Sequence, residues 1–263
     1  MGTDSLCRIR RNASEANFGQ DCRSPRLSPM SMQRCGIDAI EAALDAGEDI
    51  TLVLALKECD DPRLVALLDR CMDAGIDVSF GSENDLWRMA ETSPALALAL
   101  VGREPVADLD TMLERGGLIW MLAGVQYQTN VGFCIRVAEV SGASGLIVTG
   151  EWTSDDRHRI VRAAMRTNRF MPVVFGCDEM EVVKSWKGRA IAIEDVGTEE
   201  PWDADLTGDV MLIIGGENAG ISEELLAAAD EAIRIPMAGF TPSYNLQAPM
   251  AVVAVEALRQ RRS

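Results

Sequence analysis

The chain of 263 residues carries 41 acidic against 25 basic side chains, a formal net charge of −16, and 48% hydrophobic residues. The hydrophobic fraction is that of a globular protein, the length fits two modest domains, and no apolar run reaches the roughly 18 residues of a membrane span. A sole histidine, His158, and seven scattered cysteines with no Cys-x-x-Cys pair exclude most histidine catalysis, a zinc site and a disulfide scaffold; the thiols read as reduced, as in a cytoplasm, and nothing asks for a metal.

Residues 1–34, rich in Ser, Pro and Arg, are expected to be a disordered tail, and no apolar signal segment follows their arginines. Residues 35–101 alternate helix and strand: "GIDAIEAALDAG" before "ITLVLAL", "DPRLVALLDRCMDAG" before "IDVSF", and a Ser82-capped "SENDLWRMAET" before "ALALALV". That is a small α/β domain. A polar linker over 102–117, with Gly102, Pro105 and Gly116–Gly117, leads to a second alternating series over 118–263. It begins at "LIWMLAGV", passes a helix from about Val131, and ends in a long helix starting near Ala248. Such alternation implies a parallel sheet covered on both faces, with ligands at the carboxyl ends of its strands.

The negative charge argues against a nucleic-acid partner, but its distribution softens the objection. "RHRIVRAAMRTNR", residues 157–169, holds five arginines (157, 159, 162, 166 and 169), one histidine and no acid. Such an island steers a polyanion, or is simply a solvated helix face.

Three segments carry candidate chemistry. In "GVQYQTNVGFCIRVAEVSGA", Asn130 lies where an N-cap belongs, and Arg136 sits among Phe133, Cys134, Ile135, Val137 and Ala138. An arginine there requires an anionic partner or a watery cavity, or else it snorkels. In "VMLIIGGENAGISEELL", a buried strand runs into Gly215–Gly216, then Glu217 and a helix capped by Ser222. The spacing is not the dinucleotide fingerprint, because Glu217 stands where that motif needs its second glycine and would repel pyrophosphate. A carboxylate there suits a ligand with positive charge or hydroxyl donors, although most such glycine turns only turn. In "IPMAGFTPSYNLQAPMAVVAVEAL", Ser243, Tyr244 and Asn245 occupy a loop before the last helix; their polar groups need partners, from the loop's own backbone or from a ligand.

Taken in order, these segments resemble the SpoU/TrmH-type branch of the SPOUT RNA methyltransferases. Asn130, Gly132 and Arg136 match the family's first motif. Gly215, Glu217 and Gly220 match its second, and Ile235, Pro236, Met237, Gly239, Ser243 and Asn245 its third. The resemblance implies a parallel α/β domain with a C-terminal trefoil knot over 118–263, preceded by an L30e-like RNA-binding domain over 35–101. It implies S-adenosylmethionine held by Gly150, Gly215, Gly216, Ile235, Met237, Tyr244 and Leu246. It further implies Arg136, Asn130, Glu217, Ser243 and Asn245 as catalytic residues, a homodimer through the catalytic domain, and an RNA partner, rRNA or tRNA, with neither membrane nor metal.

The family reaction is methylation of a ribose 2′-hydroxyl. Arginine is effectively always protonated, so Arg136 is better suited to holding a phosphate or a forming alkoxide than to acting as a base. The chain departs from the family at Tyr244 and Gln247, and at Ala164 and Arg166, where the family's Arg-x-Ser-x-Gly carries serine and glycine; Arg162 is kept. The arginines of 157–169 are candidates for RNA phosphates. Rival readings are a catalytically silent RNA-binding or assembly protein with this fold, and a nucleotide-dependent oxidoreductase, which lacks its fingerprint.

Overall fold

The computed structural model describes residues 32–92, 95–241 and 243–262. Residues 1–31 of the expected tail lie outside them, but its end is structured: Gln33–Cys35 forms β1. The N-terminal unit continues with α1 (Ile37–Asp45), β2 (Ile50–Leu56), α2 (Pro62–Asp73), β3 (Asp77–Gly81), α3 (Glu83–Met89) and β4 (Ala97–Val101). Its four-stranded sheet has the order β1-β4-β2-β3, with β4 antiparallel to both neighbours and β3 parallel to β2. Helix α3 starts at a reciprocal capping box of Ser82 and Asp85, which satisfies two otherwise orphan donors. The expected linker 102–117 is not all loop: Asp108 caps a short helix α4 (Leu109–Arg115) by accepting from the Thr111 amide.

The second unit has a six-stranded, wholly parallel sheet in the order β10-β8-β9-β5-β6-β7. Its strands are β5 (Leu118–Ala123), β6 (Gly145–Thr149), β7 (Val173–Cys177), β8 (Arg189–Ile193), β9 (Val210–Gly215) and β10 (Glu231–Ile233). Its helices are α5 (Gln128–Val140), α6 (Ser154–Ala163), α7 (Glu179–Ser185), α8 (Glu223–Ala228) and α9 (Gln247–Gln260). Central strand β5 reads as an unbroken apolar run because both its faces are covered. Leu118, Trp120 and Leu122 point into the core with α5, α6 and α9, while Ile119, Met121 and Ala123 join the opposite core with α4, α7 and α8. Burying each large side chain contributes about 1.5–3 kcal/mol, so this strand anchors the unit.

From β5 the chain departs towards β6, whereas from β9 it departs towards β10 on the other side. Loops 124–127 and 216–222 therefore diverge, and leave a crevice beyond the carboxyl ends of these two adjacent strands.

The units are joined by more than a linker. Arg103 is buried, its guanidinium donating to Glu139 (2.8 Å) and to the Ala143 carbonyl (3.0 Å) at the end of α5. Phe170 packs on the N-terminal cluster of Leu54, Leu86, Ala90 and Leu98. Arg166 lies 3.8 Å from Asp85, and it is one of two consecutive non-glycine residues, with Met165, in left-handed backbone (φ 60° and 52°). That is the position at which the family pattern carries glycine, so the arginine is kept against a backbone preference.

Candidate active site

The divergent loops enclose a cavity of ≈ 760 Å³, a size typical of small-molecule sites. Its walls come from four places: Tyr127, Thr129 and Asn130 at the start of α5; Ile193, Glu194 and Asp195 after β8; Ile214 to Glu217 and Gly220 after β9; and the chain from Ile235 to Pro249. The floor is backbone against backbone. A Cβ on Gly216 would stand 2.2 Å from the Gly124 carbonyl oxygen, and one on Gly215 2.2 Å from the Gly220 carbonyl carbon. Only glycine lets these loops approach so closely.

Asn130 and Glu217 meet across the crevice, the asparagine amide donating to the carboxylate. The other carboxylate oxygen accepts weakly from the Gln126 amide at 3.5 Å, and Asn218 donates to the Gln126 side chain at 3.1 Å. Asn130 is thus not the N-cap; that place belongs to Tyr127, and Asn130 lies in the first turn of the helix, facing Glu217. Ser243 and Asn245 also line the cavity. Both are exposed, and among the described residues neither side chain has a hydrogen bond, so they do not serve the loop's own backbone and stay available to a ligand. Tyr244 donates to the Pro236 carbonyl at 3.3 Å and ties the two ends of the loop together.

Of the cofactor residues expected from the sequence, Gly215, Gly216, Ile235, Met237, Tyr244 and Leu246 line the cavity, and Gly150 does not; it follows β6, one strand away from the crevice. Of the settings open to Arg136 in the sequence, it takes the solvent-facing one. It is exposed on α5, outside the cavity wall, and pairs with nothing among the described residues. Helical periodicity accounts for this: Val131, Cys134, Ile135 and Ala138 turn into the core, whereas Thr129, Phe133, Arg136 and Val140 fall on one solvent-facing stripe. The arginine has apolar neighbours, but they flank it on the surface.

The arginines of 157–169 lie away from the cavity lining. Arg157 covers the Phe175 ring at 5.2 Å, and Arg159 and Arg162 are exposed without an ion pair among the described residues. Arg166 and Arg169 stand close enough to Asp85 to help hold its carboxyl below the usual range, after the larger effect of its hydrogen bond from Ser82.

Sequence reasoning missed Ile193, Glu194 and Asp195. The structure brings them in because β8 is parallel to β9, so its carboxyl end opens on the same crevice. Glu194 accepts from the Ile221 amide at 3.1 Å and steadies the glycine loop. Cys134 is no nucleophile: burial, aided by the Glu217 charge, pushes its thiol up to about 12. Among the described residues no cluster of three or more His, Cys, Asp or Glu side chains is grouped to hold a metal ion, and no helix is long and apolar enough to cross a membrane.

A doubly covered parallel sheet with a glycine-floored cavity at its switch point defines an α/β enzyme that binds a small cofactor beside a polar cluster. Residues 117–255 match the SpoU rRNA methylase family, and the chain belongs to it. It is accordingly an S-adenosylmethionine-dependent RNA 2′-O-methyltransferase. Residues 35–95 match a second family description, the RNA 2′-O ribose methyltransferase substrate-binding domain. The chain is similar to the 23S rRNA (guanosine-2′-O-)-methyltransferase RlmB of Photobacterium profundum, at 28% identity over 240 residues, covering 86% of this chain and 97% of that one. The corresponding RlmB of Pasteurella multocida is also 28% identical, over 88% of this chain and 99% of the relative. In fold it is similar to the SpoU methyltransferase AviRb of Streptomyces viridochromogenes in complex with AdoMet (TM-score 0.54, 24% identity, 88% of this chain and 90% of that one).

Proposed function

We propose that this enzyme methylates the ribose 2′-hydroxyl of a ribosomal RNA nucleotide, with its cofactor in the described cavity and the Asn130–Glu217 pair beside the reacting atoms. The observation that carries the reading is the convergence of Asn130, Glu217, Ser243 and Asn245, from three distant stretches of sequence, on one cavity. Support for ribosomal RNA comes from relatives of nearly the same length, named as 23S rRNA guanosine methyltransferases.

The cavity suits the cofactor. Ile193, Ile214, Ile235 and Leu246 offer an apolar slot for an adenine ring, and the exposed carboxylate of Asp195 offers acceptors for ribose hydroxyls or an ammonium group. When bound, S-adenosylmethionine supplies an electrophilic methyl group on a sulfonium. Glu217 fixes the amide of Asn130, and Ser243 and Asn245 orient the ribose, so that donor and oxygen are aligned before reaction. The C-terminal chain, which lines this cavity on its way from β10 to α9, is read as the knotted segment of the family fold.

Arg136 enters through a second subunit. The stripe Phe133, Arg136 and Val140 lies on α5, which packs against α9, and α9 exposes Val252 and Val255. Exposed apolar side chains on two adjoining helices favour a homodimer, which would place Arg136 beside a cavity while leaving it charged and free to meet a phosphate or a forming alkoxide. The enzyme is expected in the cytoplasm, where ribosomal RNA is available.

The test is transfer of tritium from labelled S-adenosylmethionine to transcribed 23S rRNA, followed by mapping of the modified nucleotide. Cofactor-dependent 2′-O-methylation is expected, lost in Arg136→Ala with the circular dichroism spectrum unchanged. Tight cofactor or RNA binding with no transfer to any RNA pool would instead establish a silent RNA-binding protein.

A further inference from the structure

Phe240 stands wholly in solvent, at 106% relative exposure. It is the midpoint of a loop cinched at its base, where the Tyr244 hydroxyl donates to the Pro236 carbonyl eight residues back. Both ends of the loop line the cavity, through Met237 on one side and Ser243 and Tyr244 on the other. The ring is thus carried at the apex of a tied loop on the cavity rim. Among the described residues nothing packs near the preceding one: a Cβ on Gly239 would have none of their atoms within 4 Å. The loop's own segment is free of acids, although Glu194, Asp195 and Glu217 line the cavity below it. From Arg234, which is exposed, to Val255 the chain carries no acid, although it holds 41 in all. An exposed ring on an acid-free loop is compatible with a polyanion and offers it no phosphate contact of its own; what it offers is a π face.

A methyltransferase that acts on a ribose hydroxyl must hold its nucleotide away from its neighbours, and splayed bases are commonly stacked on aromatic side chains. We propose that Phe240 stacks on the nucleobase of the nucleotide being methylated, clamping it at the cavity mouth while the ribose reaches Asn130 and Asn245. This rests on the RNA-methylation reading given above.

The test compares Phe240→Ala, Phe240→Leu and Phe240→Trp with the parent protein, using transcribed 23S rRNA as probe. The side chain is fully exposed, so all three variants are expected to fold. One base–aromatic stack corresponds to about a 5- to 150-fold change in affinity. The alanine variant is therefore expected to raise KM for the RNA within that range, with kcat and the calorimetric affinity for S-adenosylmethionine unchanged, because stacking holds ground state and transition state alike. Leucine should be nearly as poor as alanine. Tryptophan should restore KM, and its added emission, taken against the parent's own tryptophans, should be quenched by the RNA.

An unchanged KM in the alanine variant overturns the proposal while leaving the methylation reading intact. So does a leucine variant as good as the parent, a weakened cofactor affinity, or dissociation of a dimer in sedimentation, since these assign the ring to a general apolar contact, a cofactor lid or a subunit interface. If the parent itself transfers no methyl group to RNA, the underlying reading falls and the proposal with it.

Discussion

The N-terminal unit and the α6 region of the second unit treat their positive charge in opposite ways. In the N-terminal unit, 35–101, fourteen acids face four basic residues, and the basic ones are largely engaged: Arg63 with Asp38 and Glu41, Arg70 with Asp45, Lys57 with Glu58. The arginines are held charged more firmly still by these carboxylates, whose hydrogen bonds raise their pKa. In the second unit Arg157, Arg159, Arg162 and Arg166, on and beside α6, are exposed, Arg159 and Arg162 without an ion pair among the described residues. Counting basic residues is therefore a poor guide to where a polyanion docks; the unengaged ones make the α6 region of the second unit the surface to test for phosphate contacts. If the N-terminal unit grips RNA, as the family description of that segment suggests, shape and apolar contact must dominate there.

The largest effect expected lies in the glycine-floored cavity of the second unit. Glu217→Ala should lower kcat/KM on the order of 100-fold by freeing Asn130, the scale of loss for a misplaced positioning group. Steady-state methyl transfer measures it, and an N-terminal substitution such as Arg70→Gln should change the rate hardly at all.

Next is Gly216→Ala. Its Cβ would meet carbonyl oxygen rather than a yielding side chain, so about 3 kcal/mol of stability, the upper end for overpacking, should be lost. Urea unfolding reads this, and calorimetry should show cofactor affinity lost as well.

A smaller change is expected in salt dependence. Arg159→Gln with Arg162→Gln should flatten the slope of log affinity for RNA against log salt by roughly 0.7–0.9 for each phosphate contact removed, while Arg63→Gln with Arg70→Gln leaves it unchanged. Equal slopes would erase the contrast between the units.

The slightest effect is in acid. Glu256, hydrogen-bonded by Arg259 and Gln260, is held down at about 2, and Asp85 is lowered by its Ser82 bonds. A carboxyl whose folded pKa is depressed stabilises the fold above its unfolded pKa, and that contribution fades as pH falls through the folded value. Stability should therefore drop between about pH 4.5 and 2, and Glu256→Gln should make part of that drop disappear in thermal melts followed against pH.

The motifs were legible because, Arg136 aside, the side chains they need sit at a strand end or a helix start, where local pattern marks position: Glu217 after β9, Asn130 entering α5, Ser243 and Asn245 before α9. The setting of Arg136 stayed open because its neighbours in sequence are apolar, and only helical phase separates those that enter the core from Phe133 and Val140, which do not. Glu194 and Asp195 escaped because their membership depends on strand order, which periodicity does not encode. Likewise β1 and α4 are too short to show a period, and the antiparallel direction of β4 leaves no trace in its side chains.

The anchoring of Arg103 and Phe170 has a consequence for how the chain comes apart. The arginine clamps the end of the helix whose first turn carries Asn130, and the phenylalanine lends its ring to the other unit's interior. Neither sheet then melts without taking a partner's contacts with it, and heating should produce a single endotherm in which both halves, and the cavity between the divergent loops, are lost together.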